Sequence, residues 1–474
     1  MKPFAGKKRF SPSSDSRSQF GLSTGRRLAV LAAIAVIASS TFAFAQAGSL
    51  DPTFGTGGVF TTNYTGYDTT TDVAVAIQSD GKIVLGGTIP NGDEAVAALQ
   101  RLNTNGTLDS SFGSGGIVTS NFGITDGAAV TALAIQPNGQ ILAAAVGDFL
   151  LDGSIGRFNP DGSVDTTFGN SGFAVSRSLT SGAGTLSVMA LQTDGEILMT
   201  GGGLIGRYTS TGQLDTSFGT NGYAALNSSI ATAIALQSDG KILVTTGVGA
   251  PAQLSQAPNF PSPGAGAIAR YNTNGTLDTT FAISGQAACV ASAAGIALQS
   301  NGKIVVAGTI TSALLTTLNG GVTAASNQTG FGVVRYNSSG SVDTTFNPGA
   351  GIGSGGGIIT GFGSSFPYGA AFALAIQSNG EIVVAGEAGN GNPQGTSLTS
   401  SSFALARYTT NGQLDTSFGT NGTVITTLSQ APISFVSALV LQSDGKIVAA
   451  GNTGALVQRG FYENNFAVAR YLAQ

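Results

Sequence analysis

The chain has 474 residues, with 20 Lys+Arg against 24 Asp+Glu (net charge −4), 71 glycines, one cysteine, and neither histidine nor tryptophan. The missing histidine excludes a Ser-His-Asp triad, a Cys-His pair and any histidine-ligated metal, and the lone Cys289 excludes an internal disulfide. A negative chain is a poor partner for nucleic acid or anionic lipid.

Residues 1–45 read as a signal peptide. Lys2, Lys7, Lys8, Arg9, Arg17, Arg26 and Arg27 precede the apolar run Leu28–Ile37, and Ala43-Phe44-Ala45 offers a small-x-small cleavage site. The run is about half of the roughly 20 residues a spanning helix needs, and Ser39, Ser40 and Thr41 follow it. Cleavage near Ala45 is therefore expected, with no membrane span left behind. Arg26-Arg27 hints at twin-arginine export, although Gly25 precedes the pair where Ser or Thr is usual. The leader carries seven of the 20 basic and one of the 24 acidic residues, which leaves −10 for 46–474. The expected location is secreted, periplasmic or cell-surface.

From Leu50 onward one motif recurs seven times. It reads LDPTFGTGG from Leu50, LDSSFGSGG from Leu108, VDTTFGNSG from Val164, LDTSFGTNG at 214–222, LDTTFAISG from Leu277, VDTTFNPGA from Val342, and LDTSFGTNG again at 414–422. Spacings of 50 to 72 residues mark one supersecondary unit used seven times. Between copies lie short apolar runs bounded by Gly, Asn, Asp and Ser. In the last unit these are GTVITT (422–427), VSALVLQ (436–442), KIVAAG (446–451) and FAVARY (466–471), which read as strands. No helical period is sustained after the leader.

Two turns keep constant length. Gln78, Gln136, Gln192, Gln237, Gln299, Gln377 and Gln442 are each followed by Gly three residues later and Ile five later. Arg101, Arg157, Arg207, Arg270, Arg335 and Arg407 each precede an Asp by eight residues, with TNG or a similar triplet between. A three-residue loop ending in Gly, with a bulge there, sets that Arg opposite its Asp. The other two connections vary: 21 to 34 residues from Asp to the next Gln, and 15 to 36 from Gln to the next Arg. Strand A ends in Gln, B opens at Lys/Glu/Gln-Ile, C ends in Arg-Tyr, and D runs from Asp-x-x-Phe. In an antiparallel A–B–C–D sheet the constant turns share one face. The variable B–C and D–A connections, including 248–264, 309–329, 347–366 and 387–402, share the other.

Four-strand units of this length predict an all-β, seven-bladed propeller over 46–474. Asp51 lacks an upstream Arg and Arg470 lacks a downstream Asp. Pairing them closes the ring, with an N-terminal outer strand completing the last blade and removing exposed sheet edges. The Ala-rich A strands suit the crowded axis. One Phe per repeat (Phe54, Phe112, Phe168, Phe218, Phe281, Phe346, Phe418) suits packing between blades. An open β-solenoid is the alternative architecture.

Taken together, LDxxFGxxG, ALQxDGKIVVAG and FAVARYxxNGxLD resemble the delta-60 repeat family over nearly all of 48–474. Phe281-Ala282, Phe346-Asn347 and Arg157-Phe158 depart from its pattern. The resemblance implies an uncharacterised β-propeller in exported bacterial proteins. It implies no activity and no functional residues.

Chemistry is sparse. Acids outside the repeat positions (Asp68, Asp72, Asp93, Glu94, Asp126, Asp148, Asp152, Glu387, Glu463) could form a carboxylate pair for glycosides, but nothing in the sequence gathers two of them. The repeated Arg and Asp are expected to be structural ion pairs that fix register. Asn159–Asp165 (NPDGSVD) has the letters of a calcium loop but lacks the alternating ligands and the distal Glu, and turn chemistry accounts for the same letters. Tyr64, Tyr67, Phe260, Phe366 and Tyr368 on variable connections are the visible candidates for a sugar platform. The reading is a monomeric, non-enzymatic scaffold for a protein or glycan partner on its loop face. No catalytic, cofactor-binding or metal-binding residue is assigned. A lectin-like or calcium-binding module is the alternative, and a carboxylate-dependent glycoside-active enzyme is a more distant one.

Overall fold

The computed structural model describes residues 46–64, 73–91, 94–124, 127–147, 152–176, 178–179, 188–226, 230–246, 266–289, 292–311, 329–348, 356–392, 397–428, 432–458 and 461–474. Residues 1–45, expected to be a leader, lie outside the described residues. Among the described residues no helix is long and apolar enough to cross a membrane.

The described strands form seven four-stranded antiparallel sheets, each in the order A–B–C–D. The protein is a seven-bladed propeller. Blade 1 comprises Ala74–Ile77, Ile83–Asn91, Glu94–Leu102 and Ile117–Thr119. Blades 2 to 6 begin with the inner strands Ala128–Ile135, Val188–Leu191, Ala231–Leu236, Ser292–Leu298 and Tyr368–Ile376. Blade 7 is assembled from both ends of the chain. Ile433–Leu441, Ile447–Gln458 and Phe461–Tyr471 supply A, B and C, and Val59–Thr61 supplies D, with Val59 opposite Ala469. The predicted closure is the one observed.

Each blade buries both faces, so its B strand is apolar without alternation. Ile83, Val84 and Leu85 are fully buried, as are Ile382, Val383 and Val384. Seven apolar clusters hold the ring, each shared by two neighbouring blades. Inner strands of adjacent blades touch, as the Ala-rich pattern implied.

Both constant turns are three-residue loops with a glycine bulge. In the second, Asn103 N donates to Thr107 O (2.8 Å), and Gly106 N donates to Asn103 O (2.8 Å) at a φ of 80°. Arg101 and Asp109 therefore stand opposite each other, with Asp109 N on Arg101 O at 2.8 Å.

The D strands start later than the sequence suggested. Asp-x-x-Phe-Gly-x-x-Gly is a closed tab, because Arg101 N also bonds Gly116 O (3.0 Å), so the ladder resumes only at Ile117. The glycine after the tab phenylalanine needs a positive φ. A Cβ on Gly55 would lie 2.2 Å from Val59 O. At the two departures Ala282 takes φ 44° and Asn347 takes φ 47°. The left-handed region costs a non-glycine residue about 1–2 kcal/mol, partly offset by the extra chain entropy glycine loses on folding, roughly 0.5–1 kcal/mol. Ala282→Gly should thus raise stability by about 0.5–1 kcal/mol. Chemical denaturation checks this, and an unchanged or lowered midpoint would contradict it.

Candidate functional site

The repeated arginines and aspartates meet on the turn face. Each Arg Nε lies 2.7–2.9 Å from its Asp Oδ2, including Arg470 and Asp51 at 2.9 Å. Each guanidinium lies over the tab phenylalanine, 4.6–4.8 Å from the ring centroid. Arg Nη1 then reaches a turn carbonyl of the next blade, as with Arg157 to Ser210 (2.7 Å), Arg270 to Ser338 (2.7 Å) and Arg335 to Thr410 (2.6 Å). Beneath it, the residue after the tab phenylalanine donates its backbone N–H to the same turn, from Gly55 N to Asn105 O through Gly419 N to Ala47 O, at 2.7–2.8 Å. The phenylalanine ring fills the space beside that turn's glycine: a Cβ on Gly412 would meet Phe346 at 2.6 Å. Spacing identified the ion pair within a blade. It gave no sign that the same arginine also fastens the next blade.

A third group joins each pair from the start of strand B. Lys82, Lys241 and Lys303 sit 2.9, 2.9 and 2.6 Å from Asp109, Asp278 and Asp343. Glu196 and Glu381 instead contact Arg207 and Arg407 at 3.1 and 3.3 Å. All seven aspartates are held below the usual carboxylate range. At Asp109 burial pushes upward, but hydrogen bonds from Ser111 and Lys82 and the Arg101 charge outweigh it. Glu196 is raised, by burial and by Asp194 and Asp215 despite the Arg207 charge. Replacing Glu196 with Lys should therefore stabilise the fold by about 0.5 kcal/mol, the scale of a partly exposed charge pair. A lowered melting temperature would contradict this.

The inner-strand glutamines also belong to this network. Gln299 Oε1 accepts from Arg335 (3.1 Å), and Gln78 Nε2 donates to Gly139 O of blade 2 (3.4 Å). In the sequence their spacing marks only a turn.

The opposite face carries the length variation. The B–C hairpins of three consecutive blades are long: Ile382–Asn392 with Ser397–Tyr408, Ile447–Gln458 with Phe461–Tyr471, and Ile83–Asn91 with Glu94–Leu102. Blades 3 and 4 have five-residue B and C strands. The 387–402 insertion, expected as a loop, is mostly a hairpin extension, because Glu387 to Asn392 keep pairing with the opposing strand.

At the base of this wall lies Glu387, 7 % exposed. Tyr368 OH donates to its Oε1 at 3.1 Å. Burial raises the Glu387 carboxyl above its usual value, while hydrogen bonds from Ser401 and Tyr368 restrain the rise. Ser401 also bonds blade 7, its backbone N–H donating to Pro432 O at 2.9 Å and its Oγ accepting from Ser434 N at 3.3 Å. A raised folded-state pKa contributes stability that is complete below the unfolded value and lost as pH rises through the folded one. Glu387→Gln should remove that loss, melting increasingly higher than the parent as pH rises above the ordinary carboxylate range. Parallel pH profiles would contradict this.

The sequence-named aromatics do not form a common platform. Tyr64 OH accepts from Gln100 Nε2 at 2.7 Å, Phe366 packs into the cluster between blades 5 and 6, and Tyr368 is taken by Glu387. Tyr67, Phe260, Asp68, Asp72, Asp93, Asp126 and Asp148 lie outside the described residues, and only the backbones of Glu94 and Glu463 are described. Among the described residues no three acid, cysteine or histidine side chains group as metal ligands. In Asn159–Asp165, Asp161 Oδ1 accepts from Ser163 N (2.9 Å) and Oγ (2.7 Å), and Asp165 holds Arg157, which is turn chemistry. An aromatic pair the sequence reading missed is Phe372 with Phe435, half-buried on adjacent inner strands with centroids 6.1 Å apart. Phe372 sits at a bulge between Ala371 and Ala373, where only an aromatic letter within an alanine-rich strand could have marked it.

Comparison with known proteins agrees with this architecture. Residues 78–112, 136–168, 262–281, 316–346 and 377–418 match the family described as Domain of unknown function (DUF5122) beta-propeller. The chain is a β-propeller repeat protein. The propeller has no match among curated proteins. Among solved structures it is similar to the PQQ-bound aldose sugar dehydrogenase of Streptomyces coelicolor, at 10 % identity over 87 % of this chain and 98 % of that one (TM-score 0.37). It is also similar to a gluconolactonase of Xanthomonas campestris, at 11 % over 87 % and 98 % (0.35), and to Drosophila Plexin A in complex with Semaphorin 1b, at 11 % over 90 % and 87 % (0.40). At such identities and scores none of these likenesses transfers an activity or a ligand.

Proposed function

We propose that the propeller is an exported, non-enzymatic scaffold that presents its B–C and D–A loop face to a protein or glycan at the cell envelope or outside the cell. The observation that carries this reading is a division of labour between the faces. The repeated charged residues of the turn face are tied into the ring, whereas the tall hairpins of blades 6, 7 and 1 and the length variation lie opposite. Rigid elements carrying variable connections are a common basis for binding, although the fold itself names no partner. A lectin-like role is the second reading, favoured by the half-buried Phe372–Phe435 pair, since aromatic faces stack on sugars.

The test is a circular-dichroism melt of residues 46–474 with a glycan panel, with calcium and with EDTA, followed by envelope pull-downs. A ligand at 100 times its dissociation constant adds about 2.7 kcal/mol, a visible shift. A glycan shift that disappears in Phe372→Ser selects the lectin reading. A pull-down partner lost when the blade 6 hairpin is shortened supports the protein scaffold. Turnover of any glycan by the purified protein would overturn the non-enzymatic reading.

A further inference from the structure

The C–D turn of blade 7 differs from the other six in one respect: its two halves come from distant parts of the chain. Leu472 N donates to Ser49 O (2.9 Å), Gly48 N to Leu472 O (2.8 Å) and Asp51 N to Arg470 O (2.8 Å). Ala473 O accepts from Arg407 at 2.5 Å, in the position Thr410 O holds for Arg335. Gly48 occupies the glycine position beside Phe418, where a Cβ would meet the ring at 3.1 Å. The contacts that join residues 46–62 to blade 7 are therefore non-covalent, and besides these bonds they include a three-residue ladder, the Asp51–Arg470 pair and Phe54 beneath Arg470.

From this juxtaposition we infer that blade 7 is an acceptor site for the 46–62 segment of a second copy of this chain, so that two propellers can close each other by exchanging outer strands. The chemistry of the acceptor is explicit. Arg470 offers Nε to a carboxylate two residues before a hydroxyl that takes Nη2, as Thr53 does at 3.1 Å. The adjoining turn of blade 1 takes the aromatic ring beside Gly106, where a Cβ would lie 2.8 Å from Phe54. The same donor makes the same contacts from either copy, which is the condition under which exchange of an identical element costs little. A short tether gives the segment of its own chain an effective concentration on the order of millimolar. Closure within one chain thus prevails in dilute solution, and exchange is captured when copies refold together at high concentration.

Full-length Ser49→Cys and Leu472→Cys variants, separately tagged, provide the test, since neither alone can link the two positions within one chain. Cys289 is buried and stays out of the exchange. Co-refolding at high concentration, then oxidation and peptide mapping, should yield a dimer linked from position 49 to position 472. Mixing the already folded variants should yield at least tenfold less of it. The Ser49→Cys/Leu472→Cys double variant, refolded dilute, should link as a monomer. A double variant that links while the co-refolded mixture gives no 49–472 dimer overturns the inference. Light scattering on the co-refolded parent is the independent readout, and a wholly monomeric product there overturns it as well.

Discussion

Arg335→Ala should cost the propeller about 3–5 kcal/mol, the usual penalty for removing one partner of a buried ion pair. The alanine leaves Asp343, 3 % exposed, without its guanidinium, uncovers Phe346, and frees the Thr410 carbonyl of blade 6 that Nη1 held at 2.6 Å. The lost cation–π contact adds about 0.5–2 kcal/mol to that penalty. Lys303, 2.6 Å from Asp343, retains part of the electrostatics and keeps the loss from growing further. The effect also depends on pH. Burial pushes the Asp343 carboxyl up, but hydrogen bonds from Lys303 and Thr345 and the Arg335 charge hold it below its usual range. A depressed folded-state pKa contributes stability that is present above the unfolded value and lost as pH falls through the folded one. The gap between parent and variant should therefore be full at neutral pH and shrink below about pH 4, the unfolded carboxylate range. Urea titrations at pH 7 and pH 3 check both points. A variant that unfolds like the parent at pH 7 would show that the pair is ornamental.

A chain beginning at residue 65 should fail to form a stable ring. It lacks Val59–Thr61, the tab with Asp51 and Phe54, and the Ala47 carbonyl that receives Gly419 N. Losing a buried phenylalanine costs about 3–5 kcal/mol, and stranding Arg470, 4 % exposed, costs about as much again. Together these approach or exceed the 5–15 kcal/mol that typically holds a whole domain. The expected result is a broad, non-cooperative melt, against a single sharp transition for residues 46–474. A sharp transition within a few degrees of the intact protein would mean that residues 46–64 do not hold the ring closed.

How much of this was legible depended on where each interaction lies relative to the repeat. Arg101 and Asp109 fall within one hairpin, so their constant separation of eight residues announces the pairing, and the orphaned Asp51 and Arg470 announce the closure. Contacts between one repeat and the next leave no such trace. When every copy has the same letters, the sequence cannot show whether Phe112 packs against its own Gly106 or against Gly162 of the following blade, as it does. The start of strand D was misplaced for a related reason. The tab is rich in turn letters but sits between two residues that both bond Arg101, so its ends look continuous with the ladder. Glu387 and Phe372 occur once each, in a tall hairpin and at a bulge, and nothing periodic points to either.

The residue that follows each repeat arginine carries a consequence of its own. Tyr271, Tyr336, Tyr408 and Tyr471 each send a hydroxyl backwards to the outer strand of the preceding blade, reaching Ala225 O, Ala288 O, Thr360 Oγ1 and Thr426 Oγ1 at 2.8–2.9 Å. Leu102 and Phe158 hold the corresponding positions in blades 1 and 2 and have no hydroxyl to send. The seams on either side of blade 1 therefore lack this backward tether, as does the seam between blades 2 and 3, where the buried Tyr208 hydroxyl has no hydrogen-bond partner among the described residues, and one of the three is also the seam closed by the N-terminal segment. Opening fluctuations should concentrate there, because regions with fewer cooperative ties exchange their amide protons first. The circle is uniform in shape and uneven in tightness, with a preferred point of entry for solvent, for proteases and for its own disassembly.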